Sequence, residues 1–86
     1  MYQVIVLPKA LKDLSNLDKS IAKRVTDKLM WLSDKIETIN PLALKSNLSG
    51  FYKLKIGGYR ALYDIDHIKK IIYVHKIGHR KEIYKY

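Results

Sequence analysis

Two consecutive glycines, Gly57-Gly58, restrict the fold of this chain more than any other feature of its sequence. They separate two runs rich in β-branched and aromatic residues, at about 51–56 and 59–66, which are typical of β-strands. Glycine readily adopts the positive φ of tight hairpin turns, and a type I′ turn requires it at both central positions. The pair therefore predicts a two-residue β-hairpin, with Ile56 opposite Tyr59.

The hairpin register decides which side chains share a face of the sheet. It sets Lys55 opposite Arg60 and Lys53 opposite Leu62, and directly opposed residues share a face while neighbours along a strand alternate. Lys53, Lys55 and Arg60 should therefore project together. The opposite face, which should lie under helices, receives the residues Leu54, Ile56, Tyr59, Ala61 and Tyr63.

The shared face of the three cations has two interpretations. Lysines alone would fit an ordinary solvated face, or a charged edge strand that discourages aggregation. Like charges directly opposite each other cost stability, so Lys55 opposite Arg60 is a poor device for folding. The third cation therefore favours a phosphate-binding site. Arg80, in the segment Gly78-His79-Arg80 at the end of the last predicted strand, could join it across the sheet.

The first half of the chain predicts one strand and two helices. Residues 2–7 have strand composition, and Pro8 ends the strand and suits the first turn of a short helix. Asp18 is a good N-cap for a longer helix, which should end near residue 39 because Asn40-Pro41 disfavours helical backbone. Apolar residues recur along this second helix at three- and four-residue steps: Ile21, Val25, Leu29, Leu32 and Ile36.

A last strand at 71–77 and a short charged tail at 78–86 complete the predicted elements, and residues 40–50 read as a polar loop. The order β-α-α-β-β-β indicates an α+β fold. We expect a helical hairpin packed on one face of a small, largely antiparallel four-stranded sheet. The chain length of 86 residues suits one domain over 1–86.

The charge of the chain is large and uneven. The formal net charge is +9, and residues 44–86 carry ten Lys and Arg against three Asp and Glu. This asymmetry favours a polyanionic partner, with nucleic acid first, although a generally basic soluble surface or an acidic protein partner would also fit. There is no cysteine, and the early apolar run at 4–7 is too short for a signal peptide or membrane span. We therefore expect a cytoplasmic protein without a membrane partner.

Other chemistries find little support in the sequence. It has no P-loop and no nucleophile elbow of the G-x-S-x-G type, and its carboxylates form no obvious acid–base pair. His75 and His79 are four residues apart, but on a predicted strand and without a third ligand in view. We therefore predict no metal and no cofactor. Tyr84 and Tyr86, in the tail, are placed where they could stack on a base.

The second half of the chain resembles a known family. FYKLKIGGYRALY at 51–63, followed by IGHRKEIY at 77–84, closely resembles the RelE branch of the RelE/ParE toxin superfamily, and the segments at 10–14 and 48–50 fit as well. The resemblance spans essentially the whole chain, with its specific part in the second half. It implies the same β-α-α-β-β-β fold, cleavage of mRNA in the ribosomal A site, and neutralisation by a cognate antitoxin.

The resemblance also implies functional residues. Lys53 and Lys55 stand at the family's two strand lysines, and Arg60 at its arginine after a tyrosine. Arg80 stands at the arginine after Gly-x, and Tyr84 at the C-terminal tyrosine. The implied catalytic set is therefore Lys53, Lys55, Arg60, Arg80 and Tyr84. Lys76 and Lys81 join these four cations in the predicted RNA-binding set. The spacing from Arg80 to Tyr84 is shorter than in some members of the family. No metal is implied.

The implied reaction transfers an RNA 2′-OH onto its adjacent phosphate, leaving a cyclic phosphate and a free 5′-OH. Arginine stays protonated, so Lys53 or Lys55 is the expected base, while the acid could be His79 or a lysine. Two alternatives have other activities: a ParE-like inhibitor of DNA gyrase, and a non-catalytic RNA- or ribosome-binding module. Retention of all four cations at the family's positions favours the nuclease.

Overall fold

The structure, a computed structural model that describes residues 1–84, is built on one five-stranded sheet with helices packed against one face. Its strands lie in the order β1-β5-β4-β3-β2, with β1 parallel to β5 and the other neighbours antiparallel. A short 3-10 helix at Ser46–Leu48 precedes β3. The other elements are β1 (Gln3–Val6), α1 (Pro8–Ser15), α2 (Lys19–Lys35), β2 (Leu42–Ala43), β3 (Tyr52–Ile56), β4 (Tyr59–Asp66) and β5 (Ile71–His79).

The β3–β4 hairpin has the predicted register, which is confirmed by the pairing of Lys55 with Arg60 and of Ile56 with Tyr59. The predicted turn type is wrong in one respect. Of the two glycines, only Gly57 has positive φ, at 57°. Positive φ at the first central position alone belongs to the type II′ turn, which leaves the register of a two-residue loop unchanged.

The sheet has one strand more than predicted. Leu42 and Ala43, within the segment expected to be a loop, pair with Lys53 and Tyr52 at the edge of β3. Two exposed residues carry no hydrophobic alternation, so this strand has no pattern in the sequence, and its partner alone determines it.

Two element ends also differ from the prediction. The second helix ends at Lys35, four residues before the predicted end, and the chain continues in a turn in which the N–H groups of Thr38 and Ile39 both bond to the carbonyl of Lys35. The last strand continues two residues further, because Gly78 and His79 pair with β4.

The core lies between the helices and one face of the sheet. The helices contribute Ala10, Val25, Leu29 and Leu32, the turn after α2 contributes Ile36, and the strands contribute Leu54, Ile56, Ala61, Tyr63, Ile72, Val74 and Ile77. Tyr63 is 1% exposed, and burial, with a smaller effect of Tyr52, raises the pKa of its phenol to about 12. Within residues 1–84, no helix combines the length and apolar character needed to cross a membrane.

A β-bulge at His75 determines which side chains of β5 face the core. Leu62 pairs with Lys76, but the next residue of β4, Tyr63, pairs with Val74, which leaves His75 as an extra residue in β5. A bulge inserts one residue and therefore changes which side chains share a face. As a result, Val74 and Ile77 both reach the core although they are three residues apart.

Candidate nucleic-acid interface

The sheet face opposite the helices, called the outer face here, carries two rows of directly opposed residues across β3, β4 and β5. The Lys55 row is Lys55, Arg60 and Gly78, and the Leu62 row is Lys53, Leu62 and Lys76. The rows are two residues apart along each strand, or about 7 Å. This register brings Lys53, Lys55, Arg60 and Lys76 onto one face, with Lys55 exposed and the other three half-buried.

Arg60 is held at the hairpin turn. Its Nη1 donates hydrogen bonds to the carbonyls of Gly57, at 2.8 Å, and of Tyr59, at 2.7 Å. A guanidinium has five N–H donors, and those on Nε and Nη2 of Arg60 take no part in these two bonds. Arg60 is therefore oriented by its own turn, a contact for which the sequence contains no signal.

Arg80 is brought to the outer face by an extension of the β4–β5 ladder. The backbone N–H of Arg80 donates to the carbonyl of Gly58 at 2.9 Å, one step beyond the pairs formed by Gly78 and His79. Alternation along the strand then puts Arg80 on the side of Gly78 and Arg60. The Arg80 side chain is exposed.

After β5 the tail turns back over the sheet. The N–H groups of Glu82 and Ile83 both bond to the carbonyl of His79, at 2.8 and 2.9 Å. Ile83 is 1% exposed, and its Cδ1 lies 3.3 Å from the place where a Cβ on Gly78 would stand. The absence of a side chain at Gly78 therefore leaves room for Ile83, which anchors the tail on the outer face.

The remaining predicted site residues lie in this tail. Lys81 is exposed, and its backbone N–H donates to His79 Nδ1 at 3.2 Å. Tyr84 follows Ile83 and is 38% exposed. Both residues belong to the tail turn and not to the cross-strand rows. Tyr86, the other predicted stacking residue, lies outside the described residues.

His75 and His79 lie on opposite sides of the sheet. His79 packs edge-on against Tyr59, with ring centroids 5.4 Å apart, whereas His75 makes its contacts on the outer face. The bulge separates them, since residues four apart in a regular strand would share a face. His79 is thus away from the rows, a poor position for the predicted acid. Among residues 1–84, no three His, Cys, Asp or Glu side chains cluster as metal ligands.

Sequence reasoning passed over one ordered group of the outer face. His75 Nε2 lies 2.9 Å from Asp64 Oδ1, and the His75 ring meets the Phe51 ring edge-on, with centroids 5.0 Å apart. Asp64 follows Leu62 by two residues, so its face could have been read from the hairpin register. The position of His75 depends on the bulge, which the sequence does not mark.

The matching family model and a similar solved structure place this fold, a helical hairpin on one face of a mixed sheet, in the RelE/ParE toxin superfamily. Residues 4–84 match the model for the ParE toxin of the type II toxin-antitoxin system, parDE. The chain therefore belongs to the ParE toxin family and is a toxin of a type II toxin–antitoxin system.

Solved structures agree with this assignment. The toxin–antitoxin complex RelBE2 from Mycobacterium tuberculosis contains a chain 28% identical, with a TM-score of 0.83, covering 92% of this chain and 98% of that one. The isolated E. coli RelE toxin is 21% identical, with a TM-score of 0.76 and coverages of 92% and 84%. A chain of the YoeB–YefM toxin–antitoxin complex from Staphylococcus aureus is 24% identical, with a TM-score of 0.71, and the match covers 100% of this chain and 99% of that one. The last two share the fold. No curated protein sequence gives a match.

Proposed function

We propose that this toxin is a ribosome-dependent, metal-independent endoribonuclease that cleaves mRNA in the ribosomal A site and so inhibits translation in the cytoplasm. The observation that carries the proposal is the direct opposition of Lys55 and Arg60, two residues along the strands from Lys53 and Lys76. Opposed like charges cost folding stability, so the pair of Lys55 and Arg60, with Lys53 and Lys76 in the next row, supports binding of a polyanion across this face.

The reaction begins with attack of an RNA 2′-oxygen on the neighbouring phosphorus. The bond from phosphorus to the 5′-oxygen breaks, and the products are a 2′,3′-cyclic phosphate and a free 5′-OH. Lys53 or Lys55 accepts the 2′-OH proton, because a lysine can act as a base while arginine remains protonated. A proton must also reach the leaving 5′-oxygen. Lysines of the outer face are better placed for this than His79, which packs on Tyr59.

Arg60 and Arg80 bind the phosphate on which negative charge grows in the transition state. Donors that are oriented before the reaction stabilise such charge without a reorganisation cost. The turn carbonyls already orient Arg60, and the bond from Arg80 to Gly58 holds the second arginine near it. Lys76 and Lys81 contribute further contacts to the RNA backbone, and Tyr84 stacks on a base.

A cognate antitoxin is the proposed protein partner. Its acidic or amphipathic segment would cover the outer face or displace the tail anchored by Ile83. Hydrogen exchange on the purified pair tests this. We expect slower exchange in the antitoxin complex for the β3–β4 hairpin and residues 79–84. Protection restricted to the outward surface of the helices would show that the antitoxin does not occlude the proposed site.

The deciding experiment is a single-turnover assay with purified ribosomes carrying a defined mRNA. We expect cleavage within the A-site codon, an upstream fragment ending in a cyclic phosphate, and no cleavage of the same mRNA without ribosomes. Binding to ribosomes without cleavage would leave only the non-catalytic RNA- or ribosome-binding function.

The family match favours one further candidate, inhibition of DNA gyrase, because the matched model is that of the ParE toxin. A supercoiling assay with purified gyrase separates the two activities. Inhibition of supercoiling without mRNA cleavage would replace the nuclease proposal. The row of Lys55 and Arg60 is the structural reason to rank the nuclease first.

A further inference from the structure

A groove of about 400 Å³ opens on the outer face beside the Leu62 row. Its lining combines two kinds of side chain. The apolar part is Leu48, Phe51 and Leu62, and the polar part includes Asn47, His75 and Lys76. The groove is separate from the larger apolar cavity between α1, α2 and β1 on the helix side. An apolar surface with a few polar groups around it is typical of sites for small molecules.

The groove adjoins the cations of the proposed nuclease site. Leu62, which is 1% exposed, lies at its base and pairs with Lys53 on one side and Lys76 on the other. If the cations of the two rows bind the phosphates of a polyanion, the group bonded to those phosphates would lie over Leu62. In an RNA chain, that group is a ribose with its base.

The groove has ordered walls. His75 is held by Asp64 at 2.9 Å and by the edge-on contact with Phe51. Phe51 is half-buried, and Asn47, in the 3-10 helix, is exposed. Nucleobases stack on aromatic side chains in single-stranded RNA recognition, and an asparagine amide can both donate to and accept from a base edge.

We propose that this groove binds one nucleobase of the mRNA, that of a nucleotide adjacent to the scissile phosphate, with Phe51 and His75 as stacking surfaces and Asn47 reading the base edge. The proposal rests on the proposed nuclease function and adds to it a source of sequence preference. Phosphate contacts at the two rows carry no sequence information, whereas contacts to a base do. The groove is thus the part of the outer face that can distinguish one codon from another.

The test measures single-turnover cleavage on ribosomes programmed with mRNAs that vary at each position of the A-site codon. Asn47→Ala should flatten the preference at one codon position while poorly cleaved codons keep their rates. Phe51→Leu keeps apolar volume but removes the stacking face, and should lower the rate on the best codon about tenfold. Asn16→Ala, at the exposed end of α1, is the matched control and should leave rate and preference unchanged.

Thermal melting of each variant separates recognition from folding, since Asn47 is exposed and its truncation should leave the melting temperature unchanged. An unaltered codon preference in both variants, with wild-type cleavage intact, would overturn the groove proposal and leave the nuclease standing. Weaker antitoxin binding with unaltered preference would also overturn it and assign the groove to the antitoxin.

A second measurement covers the case in which the wild-type protein does not cleave mRNA. Homopolymeric RNA tetranucleotides are titrated into the ¹³C-labelled protein, and the ring signals of Phe51 and His75 are followed by NMR. Shifts that differ among the four bases, and that Asn47→Ala reduces, would support base binding although the nuclease had failed. Identical shifts, or none, would reject the groove as a base site.

Discussion

The two faces of the β3–β4 hairpin are built from alternate residues of the same strands, yet they serve different ends. On the helix face, Leu54, Ile56 and Tyr63 are each less than a tenth exposed and belong to the core. On the outer face, Lys55 is exposed and opposes Arg60. One face is arranged for stability, and the other keeps like charges together at a cost to stability. This conflict with the folding rules is what a functional face would show, and it supports the proposed role of the outer face.

The outer face also contains a small apolar region of its own. Leu62 and Ile83 are each 1% exposed on that side of the sheet, outside the cluster under the helices. Ile83 packs over Gly78 at the end of the Lys55 row. The tail thus covers part of the outer face, directly after Arg80, whose backbone N–H bonds to Gly58. Substitutions on the outer face should therefore act mainly on activity, with at most a small effect on stability, and those on the helix face should act on stability.

The largest effect should follow Arg80→Ala. This change removes a charged, forked donor whose interaction strengthens as charge develops, so cleavage at saturating ribosomes should fall by roughly 100- to 1,000-fold. Arg80→Lys should recover only part of the rate, because lysine keeps the charge but not the fork. Single-turnover cleavage gives the rates. Arg80 is exposed, so the melting temperature should stay close to that of the wild type.

The control for Arg80 is Lys19→Ala, which removes the same charge from the exposed start of α2. It should change the cleavage rate only through weak long-range attraction. Equal rates for wild type and Arg80→Ala would remove Arg80 from the catalytic set. The same result for variants of Lys53, Lys55 and Arg60 would remove the nuclease function.

On the helix face, Leu54→Ala should lower the free energy of unfolding by about 3 kcal/mol, through lost burial and a residual cavity. Urea denaturation measures the change. Leu11→Ala, at a position 56% exposed on α1, is the comparison and should fall within about 0.5 kcal/mol of the wild type. Similar losses for both leucines would mean that the packing beneath α2 is not the main source of stability.

Sequence predicted the parts of this molecule that follow from local rules. The Gly57-Gly58 pair was enough to set the register of β3 and β4 and hence the shared face of Lys53, Lys55 and Arg60. Strand β2 was missed because its two exposed residues carry no periodic pattern. The groove was missed because the bulge at His75 depends on packing between whole strands.

The pH dependence of stability sharpens the contrast at Tyr63, on the helix face. Burial raises the pKa of this phenol from 10 to about 12. The contribution of Tyr63 is therefore complete below pH 10, where the unfolded phenol is still protonated, and is lost as pH rises through 12. At pH 11, ionisation of this phenol in the unfolded chain should lower the free energy of unfolding of the wild type by about 1 kcal/mol. Tyr63→Phe has no phenol and should not show this loss. Urea denaturation at pH 9 and 11 gives the difference. A gap between the two proteins that does not change with pH would mean that the phenol is not protected from ionisation.

The smallest effect should be a gain in stability on the outer face. Lys55→Gln removes the charge opposite Arg60, and relief of that repulsion should raise the free energy of unfolding by about 0.5 kcal/mol. Lys53→Gln is the matched comparison, because its opposite residue is Leu62 and no direct pair of like charges is relieved. The gain should shrink at high salt, since exposed charges are screened. Equal gains for both variants would trace the effect to net charge rather than to the pair. A gain at Lys55 accompanied by loss of cleavage would show that this position favours function over stability.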